Sequence, residues 1–138
     1  MSNQQIYVNL PVKNLERSKA FFAALGFDFN PQFSDDNAAC MIVSHDHIYV
    51  MLLVEPFFQT FIDKKIADAR TSTEVLLCLS RDSRAAVDET VAKALAAGGS
   101  APRAPQDHGF MYQHSFEDLD GHIWELAYME SMPPSEGQ

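Results

Sequence analysis

The chain has 138 residues and 19 acidic against 10 basic side chains, a formal net charge of −9. No cluster of Lys or Arg exists, so phosphate-backbone binding lacks its electrostatic footprint, and no apolar run approaches the ~18 residues of a membrane helix. An apolar share of 46% with 10 Phe supports a full hydrophobic core in one domain spanning 1–138, rather than a disordered chain. The opening Met1-Ser2-Asn3-Gln4-Gln5 has no charged stretch leading into an apolar one. No signal peptide is expected, and the expected location is cytoplasmic.

In chain order, Ile6, Val8, Leu10 and Val12 alternate with Tyr7, Asn9 and Pro11, the period-2 pattern of a strand with two different faces. Asn14 then caps a helix with Leu15, Ser18, Phe22 and Leu25 at helical spacing, closed by Gly26. Segments 27–33, 38–44 and 47–54 read as three more strands, separated by the turn-forming Ser34-Asp35-Asp36-Asn37 and His45-Asp46. In the segment 55–73, Phe57, Phe58, Phe61 and Ile62 suggest a short helix. A strand over 74–80 and a helix with Val87, Val91, Ala94 and Leu95 on one face restart the pattern. Strands near 112–116 and 122–128 follow, joined by Asp118-Leu119-Asp120-Gly121, and Met132–Gln138 reads as a frayed tail.

The stretches at 7–18 and 75–86 look like copies of one unit: an apolar strand, a basic residue, an Asn or Asp cap, then a helix. Leu10-Pro11-Val12-Lys13-Asn14-Leu15-Glu16-Arg17-Ser18, Leu25-Gly26-Phe27 and Asp118-Leu119-Asp120-Gly121-His122-Ile123-Trp124-Glu125-Leu126 carry a resemblance. They resemble the vicinal oxygen chelate superfamily, which includes glyoxalase I, extradiol dioxygenases, and fosfomycin- and bleomycin-resistance proteins. The resemblance implies an α+β fold. Two βαβββ modules, about 6–54 and 74–128 joined by 55–73, would form a cup-shaped mixed sheet with helices outside, commonly as a homodimer.

It also implies where a divalent metal would sit: one ligand from the first strand and one from the last strand of each module. Those positions carry Tyr7, Met51, Val75 and Glu125, and only Glu125 matches. Valine has no donor, a Met thioether suits hard cations poorly, and a Tyr phenol must first lose its proton. No metal or other cofactor is therefore expected. A one-residue slip of a strand would exchange its faces and change the set.

The expected cup lining is Tyr7, Asn9, Tyr49, Met51, Val75, Leu77, Tyr112, His114 and Glu125. Aromatic and apolar walls with a few polar groups suit a small organic ligand. A cationic compound would fit the negative charge. His114 shares a face with Tyr112 and Phe116, which either lines the cup or packs on a helix. Cys40 and Cys78 sit in apolar runs and read as buried free thiols. Two functions follow. The first is a ligand-binding protein of the bleomycin-resistance kind, with no ancestral metal. The second is a metal-dependent glyoxalase-like lyase or isomerase, or a dioxygenase, rebuilt around Glu125 as the catalytic group.

Overall fold

In a computed structural model, which describes residues 4–130, the first alternating segment forms β1 (Ile6–Val12). Leu10 and Val12 are buried, while Tyr7 and Asn9 stay open to solvent. α1 (Leu15–Ala24) follows because the Asn14 side chain accepts the Arg17 N–H at 3.0 Å and Glu16 sits in the first turn. The helix buries Leu15, Ser18, Phe21 and Phe22, and packs on the later strands β3 (Ala38–Ser44) and β4 (Ile48–Val54).

The strand expected over 27–33 is only β2 (Asp28–Asn30). Pro31 opens a 3₁₀ turn, Pro31–Phe33, in which the Asn30 side chain accepts the Gln32 N–H at 2.9 Å. That local bond competes with strand pairing and wins. The sheet order is β1-β4-β3-β2, with β1 parallel to β4 and the other pairs antiparallel. α2 (Glu55–Gln59) is shorter than the aromatic spacing suggests, since it ends at Thr60 and leaves Phe61 exposed.

The second half repeats this order. β5 (Leu77–Ser80) begins three residues later than expected. α3 (Arg84–Ala96) is capped by Ser83, whose side chain accepts the Ala86 N–H at 3.0 Å. Val87, Thr90, Val91 and Ala94 form its buried stripe, and Leu95, expected among them, lies at the margin and is exposed. β6 (Gln106–Asp107), β7 (Met111–Glu117) and β8 (Ile123–Met129) complete a sheet ordered β5-β8-β7-β6. β5 and β8 are parallel, the remaining pairs antiparallel, and α3 packs on β7 and β8. The two-residue β6 has no alternation from which to read it.

Each half is thus a βαβββ unit of an α+β fold, and the chain divides into two compact units, Met1–Asp68 and Ala69–Gln138. The tail 132–138 lies outside the described residues. Among the described residues, no helix is long and apolar enough to cross a membrane.

The turn before β8 is built around Asp118. Its Oδ1 accepts the N–H groups of Asp120 and His122, both at 3.0 Å, and its Oδ2 accepts the Trp124 indole N–H at 3.0 Å. Burial pushes this carboxyl above the usual carboxylate range, against the His122 charge and the N–H donors. Gly121 takes φ +91°, and a Cβ there would lie 2.9 Å from Arg70 Cγ and 3.0 Å from the Arg70 nitrogen. Only glycine fits. The Arg70 guanidinium meanwhile donates to the Leu119 carbonyl.

Candidate functional site around Glu125

Trp124 and Leu126 are buried on the helix side of β8, so Glu125 between them projects to the opposite face. Register places it abreast of Cys78 on β5 and Ser115 on β7. One row along, Gln113 stands opposite Ala127 on one side and Gln106 on the other. Glu125, Ser115, Gln113, Gln106 and Arg103 border an open cavity of about 270 Å³, with Leu76 and Ile123 as its apolar lining. Among the described residues, Glu125 is half-buried and makes no hydrogen bond or ion pair.

Cys78 is exposed, contrary to its expected burial, whereas Cys40 is buried. Although at the surface, the Cys78 thiol is raised by partial loss of water, with the Glu125 charge adding to the shift. A thiol held protonated is a poor nucleophile.

The structure brings together one part of the expected lining and separates the other. Tyr7 pairs with Tyr49 and Asn9 with Met51 on the face of the amino-terminal sheet away from the buried Leu10 and Val12. The two Tyr rings stack at 4.9 Å and 13°, and the Tyr7 hydroxyl donates to Gln5 Oε1 at 3.1 Å. The Asn9 amide donates to the Tyr7 carbonyl at 3.2 Å.

In the carboxyl-terminal sheet, Val75 precedes β5 and is exposed, while Leu77 stands opposite Trp124 on the helix side. Tyr112 and His114 also face α3. The Tyr112 hydroxyl donates to Asp88 Oδ1 at 2.6 Å, and His114 Nε2 lies 3.2 Å from the Arg103 carbonyl. Among the described residues His114 Nδ1 is buried without a hydrogen-bond partner, 3.9 Å from Asp88. These side chains therefore sit one residue out of phase with Glu125, although His114 borders the cavity where it holds the Arg103 loop. Sequence reasoning missed Gln106, Gln113, Ser115 and Arg103. Counting outward from the tight turn pairs Phe116 with Trp124, and hence Ser115 with Glu125; that signal was present in the sequence.

On the helix side, Arg84 donates to Asp107 at 2.8 Å and to Glu130 at 3.1 Å, and lies 5.1 Å from the Tyr112 ring centre. These bonds hold the Asp107 carboxyl down at about 2 from a usual 3.8, with the Gly109 N–H helping. A carboxylate depressed in the folded state stabilises it above the unfolded value and loses that contribution as pH falls through the folded one. Comparing urea midpoints of the native chain and Arg84→Ala should show a gap that narrows between about pH 4 and pH 2. All three groups are solvent-exposed, so the gap should also shrink in high salt. A gap unchanged over that range would contradict the assignment.

The family's metal would need several oxygen or nitrogen donors. The implied positions offer a Tyr phenol already hydrogen-bonded to Gln5, a thioether, a valine and one carboxylate. Cys78 and Ser115 beside Glu125 add a thiol held protonated and a neutral hydroxyl. Among the described residues, no group of three or more His, Cys, Asp or Glu could hold a metal ion. This donor set does not fit a divalent centre of that type.

Residues 4–44 match the family described as bleomycin resistance protein-like N-terminal. No curated protein matches the chain. Among solved structures, a hypothetical protein from S. aureus, SA1046, is 29% identical over 93% of this chain and 95% of its own, with a TM-score of 0.78. A glyoxalase-related enzyme from Fulvimarina pelagi is 20% identical over 96% and 93%, with a TM-score of 0.77. A glyoxalase/bleomycin resistance protein/dioxygenase family enzyme from Burkholderia phytofirmans PsJN is 18% identical over 89% and 96%, with a TM-score of 0.74. By sequence the chain matches a bleomycin resistance protein-like model over residues 4–44, and along its length it shares the fold of these glyoxalase/bleomycin-resistance structures.

Proposed function

We propose that the chain binds a small organic ligand against the open face of its carboxyl-terminal sheet, without the ancestral catalytic metal. The observation that carries this reading is Glu125: a half-buried carboxylate with no hydrogen-bond or ion-pair partner among the described residues, bordering a cavity lined by amides, a hydroxyl and apolar side chains. A partly desolvated charge without a partner is costly, and a ligand bearing a cation or a hydrogen-bond donor would offset that cost. The volume corresponds to roughly nine waters at about 30 Å³ each, which suits a metabolite-sized molecule. Burial of such a ligand needs no bond to be made or broken, so sequestration of the bleomycin-resistance kind is the expected role. The protein is proposed to act as a homodimer.

A second reading is kept because Glu125 occupies the one position that matches the family's metal ligands. In that case the chain would be a metal-dependent lyase, isomerase or dioxygenase. One pair of measurements separates the two: metal content of purified protein, and thermal shift against a library of small cationic and aromatic compounds. The expected result is less than stoichiometric Ni, Zn, Mn or Fe, together with ligand-dependent stabilisation that Glu125→Gln abolishes. Stoichiometric metal lost in Glu125→Gln would favour the enzyme instead. Absence of any stabilising compound would remove the binding reading.

A further inference from the structure

A second charged residue borders the cavity beside Glu125. Arg103, on the loop before β6, borders the same space, and among the described residues no ion pair joins its guanidinium to Glu125. The loop is pinned there from behind, because His114 Nε2 lies 3.2 Å from the Arg103 carbonyl. That carbonyl can only accept, so Nε2 carries the proton.

The Gln106–Gln113 row, one step along β7 from Ser115 and Glu125, borders the same cavity, and its amides can both donate and accept. Ser115, abreast of Glu125, and Gln113 are two residues apart on one strand, a separation of about 7 Å. An acid and a base thus share one polar cavity, with no ion pair between them among the described residues. A purely cationic ligand held at Glu125 would feel Arg103 as a like charge within a small, partly shielded space, and a purely anionic one would feel Glu125.

We propose that this cavity takes a small zwitterion, its cationic end at Glu125 and its anionic end at Arg103, with several bonds between the two. This rests on the ligand-binding reading above and adds to it an anion subsite supplied by Arg103.

Cys78 provides a reporter, since it is exposed and stands abreast of Glu125, whereas Cys40 is buried. Alkylation of the full-length protein with iodoacetamide would be followed in the presence of ω-amino acids of increasing chain length. Alkylamines and alkanoates of matching length serve as single-charge controls. Protection of Cys78, and the rise in Tm, should peak at one chain length. The controls should bind about tenfold more weakly, as expected for losing one charge-assisted contact. Arg103→Gln should reduce the best ω-amino acid to the level of its amine, and Glu125→Gln to the level of its alkanoate.

If amine and ω-amino acid protect equally, the Arg103 subsite is overturned while binding at Glu125 stands. Failure of the whole series, with a library compound still protecting Cys78, overturns the zwitterion and spares the broader reading. Failure of every compound overturns both.

Discussion

Asp118→Ala should destabilise the protein by about 4 kcal/mol in urea denaturation, one of the two largest effects expected from a single substitution. The carboxylate is 5% exposed and accepts three N–H groups, one of them the indole of Trp124, itself 1% exposed. Hydrogen bonds to a charged acceptor contribute about 1.5–3 kcal/mol each, and a buried donor left unsatisfied costs about 1–3 kcal/mol; such terms overlap, so the sum is not simply additive. Asp118→Asn tests the geometry more sharply. It keeps one accepting oxygen for the turn but sets an amide donor against the Trp124 N–H. Trp124 fluorescence should therefore shift in Asp118→Asn even where the fold persists. A loss under ~1 kcal/mol for the alanine variant would mean that the turn is held mainly by backbone, through the Asp118–His122 pairing and Gly121.

Phe22→Ala should cost about 3–5 kcal/mol, the range for removing a buried aromatic and leaving a cavity. Phe22 is 1% exposed, meets Phe21 edge-on at 5.0 Å and 87°, and meets Phe27 at 6.2 Å and 68°. Its ring joins α1 to the residues leading into β2, so little nearby backbone can collapse into the space. The control is Phe61→Ala, at a ring 66% exposed, which should change stability by no more than about 0.5 kcal/mol. Similar losses for the two variants would contradict the core described for the amino-terminal unit.

The sequence was most legible where one face of an element is plainly apolar. β1, α1 and α3 followed from their spacing and caps, and the clean alternation of β1 separates Tyr7 and Asn9 from the buried Leu10 and Val12. The carboxyl-terminal sheet was harder. β5 reads Leu77-Cys78-Leu79-Ser80 after Val75-Leu76, a nearly unbroken apolar run that hides which parity faces the helix. Register puts Leu77 beside Trp124, and Cys78 and Ser115 beside Glu125, a parity that such a run does not display. β7 misled in another way. Tyr112 looks like a binding residue by type, yet its hydroxyl is directed to Asp88 on the helix, while His114 borders the cavity with its Nε2 at the Arg103 carbonyl. Arg103 lies in a Pro-flanked loop that no periodicity describes.

The alternation along β7 has a consequence for how such a protein can change over time. Tyr112 and Phe116 pack the sheet to its helix, while Gln113 and Ser115 border the open cavity and His114 reaches it through the Arg103 loop. Adjacent positions in one strand thus answer to separate demands, integrity on one side and selectivity on the other. Ligand preference could drift through Gln113, Ser115 and Glu125 while the scaffold behind them stays intact. A fold of this kind can serve many different guest molecules with few steps between them.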